Sequence, residues 1–179
     1  MRAPFGGWAS NISAPQVFRC PADEPTRGSR VSVLNSKVLL VEDSKFLRLA
    51  SEHALSKAGF QVSTAADGEE ALQVVNDKLP DIIVLDLMLP RISGLDVLRA
   101  LKKNPATKHI PVMVLTSLSQ QNEEKLLSEG AEAYFEKSAL NLDKNSARLA
   151  ATVETVLVRF NHQKDVELRL QSLAAKNRL

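Results

Sequence analysis

The sequence has little cysteine and no long apolar run. Cys20 is its only cysteine, so an internal disulfide is excluded and a reducing compartment is favoured. No stretch approaches the roughly 18 consecutive apolar residues that cross a bilayer. Residues 1–30 also lack the continuous apolar core of a secretory signal. We therefore expect a soluble, cytoplasmic protein.

The middle of the chain has no excess of basic residues. Between Lys37 and Asn145 there are 13 basic and 16 acidic residues, so the basic pI comes from the two ends. This pattern does not predict a nucleic-acid-binding surface. A length of 179 residues suits one well-buried domain with flanking segments.

Residues 1–36 show no sustained period of 2 or 3.6. They contain many turn-forming residues, namely Pro4, Gly6, Gly7, Pro15, Pro21, Pro25 and Gly28. Such a segment cannot bury enough surface to offset its ordering entropy, so we predict a disordered N-terminal extension. Two alternatives stay open. The first 20 residues contain no acidic residue, which also fits a transit peptide, and a start codon assigned too far upstream would give the same pattern.

From Lys37 onward, strand patterns alternate with helix patterns. Strands are predicted at 37–42, 60–65, 82–86, 111–115 and 133–135. Helices are predicted at 45–58, 68–78, 94–103, 120–128 and from about 145 to 160. This alternation predicts an α/β fold with a doubly wound parallel sheet in the order 2-1-3-4-5. The fourth helix has only Leu126 and Leu127 as large apolar residues, so we expect it to be loosely packed.

Polar side chains stand where four of these strands end. Glu42 and Asp43 follow the first strand, Asp86 ends the third, Thr116 follows the fourth and Lys137 follows the fifth. Because the carboxyl ends of parallel strands share one edge of a sheet, we expect these groups to converge. Three carboxylates repel one another unless a cation lies between them, and oxygen ligands suit Mg²⁺.

This pattern resembles the receiver domain of two-component response regulators, over about Lys37 to Phe160. Four motifs carry the resemblance, each after its own strand: Val41-Glu42-Asp43, Asp86-Leu87-Met88-Leu89-Pro90 with Ser93-Gly94, Thr116-Ser117, and Tyr134-Phe135-Glu136-Lys137. Matching all four in their predicted structural context is a specific signal. The resemblance implies a flavodoxin-like fold and a single-domain protein similar to the chemotaxis regulators.

The same resemblance implies the chemistry of the site. Asp86 would be the phosphoacceptor, taking a phosphoryl group from a phosphohistidine on a sensor histidine kinase or a histidine phosphotransfer protein. Glu42, Asp43, Asp86 and the backbone carbonyl of Met88 would hold Mg²⁺. Such a protein is a regulatory phosphoacceptor rather than an enzyme.

Three further residues would stabilise and report the phosphorylated state. Thr116 and Lys137 would neutralise or bind the phosphoryl oxygens, and Thr116 and Tyr134 would act as the switch. The surface of the fourth helix, fifth strand and fifth helix would then contact a downstream effector protein. We expect no direct contact with nucleic acid or membrane, and a homodimer through this surface or the C-terminal helix is one option.

The chain departs from the family pattern in two places. Ser138 follows Lys137 where the family commonly has a proline after a cis peptide bond, which a non-proline residue forms only at a cost of about 3–4 kcal/mol. Met88 and Leu118 occupy positions that often orient the water that hydrolyses the acyl phosphate, and neither hydrogen-bonds water strongly. We therefore predict a long-lived acyl phosphate.

Other functions fit the motifs less well. A haloacid-dehalogenase-type phosphatase needs a second aspartate two residues after the nucleophile, where this chain has Met88. A dinucleotide-binding domain needs a glycine-rich turn after the first strand, where the chain has Glu42-Asp43-Ser44-Lys45. A cofactor-free scaffold with an inactive receiver fold stays open as well, although it has no reason to keep all five acidic, hydroxyl and basic groups together. A phosphoryl shuttle without an effector of its own stays open.

Residues 161–179 are predicted to form a helical C-terminal tail. Val166, Leu170 and Leu173 share one stripe of this helix, and Asn161 to Lys164 are polar. Two interpretations stay open: a solvated continuation of the preceding helix, or a partner-binding or dimerising helix. These 19 residues are too few for a DNA-binding output domain.

Overall fold

Five parallel strands form one sheet in a computed structural model of the protein, which describes residues 33, 35–117, 123–137 and 146–176. The strands are β1 Lys37–Val41, β2 Gln61–Ala65, β3 Ile82–Asp86, β4 Val112–Thr116 and β5 Ala133–Glu136. Their order is β2-β1-β3-β4-β5. Both the flavodoxin-like fold class and the predicted strand order are therefore confirmed.

Helices cover both faces of the sheet. They are α1 Lys45–Lys57, α2 Gly68–Lys78, α3 Gly94–Lys103, α4 Glu123–Ser128 and α5 Ser146–Lys176. Alternate residues of the central strands point into two separate cores. One core joins the sheet to α1 and α5, through residues such as Leu55 and Leu149. The other joins it to α2, α3 and α4, through residues such as Val75 and Leu98.

Helix α1 carries two apolar residues on its solvent-exposed face. Phe46 and Leu49 are exposed, whereas Ser51, Ala54 and Leu55 are buried. The two exposed residues share a helical face with His53, which is also exposed. This face therefore points into solvent and the opposite face covers the sheet.

The two ends of the chain differ in what the structure describes. Most of the predicted N-terminal extension lies outside the described residues, although Val33 is buried in the core. At the other end, α5 is one helix of 31 residues. Residues 161–174 are all exposed, so the predicted helical tail is a direct continuation of α5. In the part of the chain that the structure describes, no helix is both long and apolar enough to cross a membrane.

Candidate phosphoacceptor and cation site

Three carboxylates meet at the carboxyl edge of the sheet. Glu42 and Asp43 directly follow β1, and Asp86 is the last residue of the adjacent strand β3. One oxygen from each side chain lies within 4.8 Å of the other two. Glu42 and Asp86 are each only 1% exposed, whereas Asp43 faces solvent. The structure thus brings together the three acidic side chains that the sequence predicted to converge.

Lys137 supplies the positive charge of this cluster. It follows β5, and its Nζ lies 2.6 Å from Oδ2 of Asp86 and 2.7 Å from Oε2 of Glu42. Burial by itself lowers the pKa of Lys137, but the hydrogen bonds to Asp86 and Glu42 outweigh it, so this pKa is raised above its ordinary value. The ammonium is therefore held charged against two buried carboxylates.

Burial has the opposite consequence for Glu42. Loss of solvent raises the pKa of this carboxyl, and the hydrogen bond from Lys137 only partly offsets the effect. Its Oε1 is buried and has no hydrogen-bond partner. A buried acceptor without a partner is costly. One ammonium among three carboxylates leaves negative charge uncompensated, and a cation with oxygen ligands such as Mg²⁺ fits this donor set.

The backbone around Asp86 fixes the direction of its carboxylate. Oδ1 accepts a hydrogen bond of 3.0 Å from the backbone N–H of Met88, while Oδ2 faces Lys137. Helix α3 starts directly against this strand end, because the N–H of Gly94 donates to the carbonyl of Leu87 at 3.0 Å. A Cβ at position 94 would lie only 2.0 Å from the carbonyl oxygen of Asp86. Glycine is therefore required for this close approach.

The remaining predicted residues lie at different distances from the cluster. Thr116 ends β4 and is buried, and Tyr134 lies in β5 and is partly buried. The side chain of Met88 is 68% exposed. Leu118 and Ser138 lie outside the described residues, so their predicted consequences stay predictions.

Sequence reasoning missed Arg48 of α1. Its guanidinium donates to the backbone carbonyls of Glu42 at 2.6 Å and of Asp43 at 3.1 Å. These bonds connect the loop that carries two acidic residues to the first turns of α1. The available signal was a long cationic side chain five residues after an acidic pair, which is too common a pattern to single out.

Comparisons with known proteins agree with this geometry. Residues 38–149 match the family described as response regulator receiver domain. The chain is 42% identical over 109 residues to a gliding motility regulatory protein of Myxococcus xanthus, covering 60% of this chain and 14% of that one. It is 31% identical over 105 residues to the polar-differentiation response regulator DivK of Brucella ovis, covering 58% of this chain and 85% of that one.

A solved structure shows the same fold. The chemotaxis response regulator CheY4 of Vibrio cholerae superposes with a TM-score of 0.60 at 31% identity, covering 68% of this chain and 98% of that one. Among curated relatives, the chain spans less than half the length of several that it matches, including 45% of a phosphate regulon transcriptional regulator of Rhizobium meliloti.

Proposed function

This chain belongs to the response regulator receiver domain family, and from that premise we propose that it is a signalling switch whose phosphoacceptor is Asp86. One carboxylate oxygen of Asp86 attacks the phosphorus of a phosphohistidine. The new O–P bond forms as the P–N bond breaks, and the imidazole leaves with the electron pair and takes up a proton. The observation that carries this proposal is the fixed, buried carboxylate of Asp86 beside both Lys137 and two further acids.

The residues around Asp86 have separate roles in this proposal. Lys137 balances the charge of the phosphoryl oxygens, and the hydroxyl of Thr116 donates to one of them. Glu42, Asp43, Asp86 and the backbone carbonyl of Met88 would hold Mg²⁺. When bound, the ion would offset the negative charge of the carboxylates and of the incoming phosphoryl group.

The signal leaves the site through α4, β5 and α5. Phosphorylation brings the charge at Asp86 from about −1 to about −2, which draws the Thr116 hydroxyl towards the new oxygens and lets Tyr134 turn inward. Helix α4 is short, and among its large apolar residues Leu126 is buried while Leu127 is exposed. Its weak attachment supports a role as the element that moves.

The partners follow from the same chemistry. We infer that the phosphoryl donor is a sensor histidine kinase or a histidine phosphotransfer protein. The downstream target is an effector protein, and both partners are in the cytoplasm. The chain acts as a regulatory phosphoacceptor rather than as an enzyme with turnover. Self-association through α4-β5-α5 or through the C-terminal part of α5 belongs to this proposal as well.

Incubation with acetyl phosphate and Mg²⁺ tests the proposal. We expect intact-protein mass spectrometry to show a gain of one phosphoryl group in the wild-type chain and none in Asp86→Asn. Asp81→Asn is a matched control, because Asp81 directly precedes β3 at its other end and accepts a hydrogen bond from the backbone of Lys37; it should gain the same mass as the wild type. A gain in Asp86→Asn, or none in the wild type, would overturn the assignment.

A further inference from the structure

The loop between β3 and α3, residues 87–93, contains a residue in an unfavourable backbone conformation. Arg91 has a φ of 65°, and it is not a glycine. Non-glycine residues in this region carry strain, and an observed outlier of this kind suggests a function. Glycine would meet the backbone requirement without strain, so the arginine side chain needs an explanation of its own.

The side chain of Arg91 bridges this loop to the start of α2. Its guanidinium forms an ion pair with Asp67 and a second with Glu69, at 3.2 Å. Asp67 is buried and caps α2 by accepting hydrogen bonds from the N–H groups of Glu69 and Glu70. The loop is thus connected to a carboxylate that is itself fixed by two backbone donors.

The loop also touches α2 directly. A Cβ on Gly68 would lie 2.8 Å from the carbonyl oxygen of Ile92 and 2.9 Å from its Cβ. The backbone of the loop is therefore packed against the first residue of α2. The close packing involves Ile92 and the ion pairs involve Arg91, so two neighbouring residues hold the same part of the loop against α2.

The position of this loop matters for the phosphoacceptor. The N–H of Met88 within the loop donates to Oδ1 of Asp86, and the loop ends at Gly94, which is in close contact with the Asp86 backbone. A displacement of the loop would therefore move the donor to Asp86 and the Met88 carbonyl together.

We propose that Arg91 is a positioning residue that holds the β3–α3 loop against the capped end of α2, so that the backbone of Met88 stays in place for Asp86 and for the cation. This inference rests on the proposed function for its metal readout. Arg91 acts through the loop and does not itself touch the reacting atoms.

Arg91→Gly separates this role from a purely conformational or electrostatic one. Glycine keeps the positive φ and removes the side chain that forms the bridge, and the Asp67→Asn variant described next controls for the added backbone freedom of glycine. If nothing but backbone geometry mattered, Mg²⁺ affinity would not change, and if Arg91 acted only as a nearby positive charge, its removal would strengthen Mg²⁺ binding. Loss of positioning instead predicts an affinity about three- to tenfold weaker by isothermal titration calorimetry, because outer partners of a metal site orient its ligands.

Asp67→Asn supplies the other half of the experiment. Asparagine caps a helix as well as aspartate does, so the substitution removes the ion pair and retains the cap. We expect Asp67→Asn alone to weaken Mg²⁺ binding in the same direction as Arg91→Gly, and the double variant to bind no more weakly than Arg91→Gly, since both changes break the same bridge. Unchanged Mg²⁺ affinity in Asp67→Asn alone, or additive losses in the double variant, would contradict the bridge.

A second measurement needs no metal. Hydrogen exchange of the Met88 amide should be at least about tenfold faster in Arg91→Gly than in the wild type, because its bond to Asp86 opens more often. Unchanged exchange at Met88 would overturn the inference even if the wild type were phosphorylated at Asp86. A wild type that does not bind Mg²⁺ would count against the proposed function, and the Met88 amide would still decide the role of Arg91.

Discussion

At the scale of single residues, the site contains a group that lowers the stability of the folded state. Glu42 is a buried carboxylate with one oxygen that has no hydrogen-bond partner, an arrangement that destabilises a protein unless something compensates it. Lys137 compensates part of the charge through Oε2. This remaining cost is consistent with the proposed cation site, because stability and function often conflict at such positions.

Glu42→Gln should raise the stability of the metal-free protein at neutral pH. The pKa of Glu42 is raised above the ordinary 4.5 by burial, so the folded protein binds its proton more tightly than the unfolded chain does. Stability from this group is therefore present below pH 4.5 and is lost as the pH rises through the folded-state pKa. We expect urea unfolding to show equal stability of the two proteins below pH 4.5 and a growing advantage of Glu42→Gln above it.

Addition of Mg²⁺ should reverse this order. The wild type gains stability from the bound ion, whereas Glu42→Gln has lost one anionic ligand and gains less. Equal gains in both proteins would show that Glu42 does not hold the ion.

Met88 and Leu118 should slow the loss of the phosphoryl group. The thioether of Met88 is exposed but is a poor hydrogen-bond acceptor, so we do not expect it to orient a water for attack on the acyl phosphate. We expect the phosphorylated form to decay over minutes or longer in the presence of Mg²⁺, and Met88→Asn combined with Leu118→Gln to decay faster. Leu173→Asn, on the exposed part of α5, is the matched control. A wild-type half-life of seconds would refute this prediction.

At the scale of elements, α4 is held by one buried apolar residue and by an ion pair just beyond its C-terminal end. Its residue Leu126 is buried in the core shared with α2 and α3. Just after the helix, Glu129 forms a two-pronged ion pair with Arg99 of α3, with Nε to Oε2 at 2.9 Å. The hydrogen bond from Arg99 lowers the pKa of Glu129. Leu126 thus attaches α4 to the shared core, and the ion pair of Glu129 connects the end of α4 to α3.

Arg99→Gln should loosen α4 without unfolding the domain. We expect faster hydrogen exchange of the amides of residues 123–130, and an NMR titration of Glu129 whose midpoint moves up towards 4.5. Lys57→Gln, which removes a positive charge from the exposed end of α1, should leave the exchange of α4 unchanged. Identical exchange in Arg99→Gln and the wild type would show that the Arg99–Glu129 ion pair does not hold α4.

At the scale of the whole molecule, local sequence patterns predicted the fold well but did not predict the side-chain contacts between elements. The strand order followed from apolar runs alternating with helices, and the bounds of α2 and α3 were correct because caps and breakers mark them, with Asp67 and Ser93 as N-caps. The convergence of the acidic residues and Lys137 followed from strand polarity. The bridges of Arg48 and Arg91 did not, because exposed cationic side chains follow no period and Arg91 is 22 residues from Glu69. The exposure of Phe46 on α1 was not predictable for a different reason: helical periodicity groups residues on a face but does not show which apolar residues of the helix meet the sheet.

The contribution of the C-terminal half of α5 to stability is also a question about the whole molecule. Between residues 147 and 174 the last buried residue is Leu157, and residues 161–174 are exposed throughout, so a chain ending at Phe160 keeps the described core. We expect its thermal midpoint to lie within about 2 °C of the full-length value, whereas Leu157→Ala should lose about 2–5 kcal/mol of unfolding free energy. A larger fall for the truncated chain, growing with the concentration of the full-length protein, would instead show that Val166, Leu170 and Leu173 are buried against a second copy. Thermal scans of both chains at two protein concentrations therefore separate the solvated continuation from the dimerising helix.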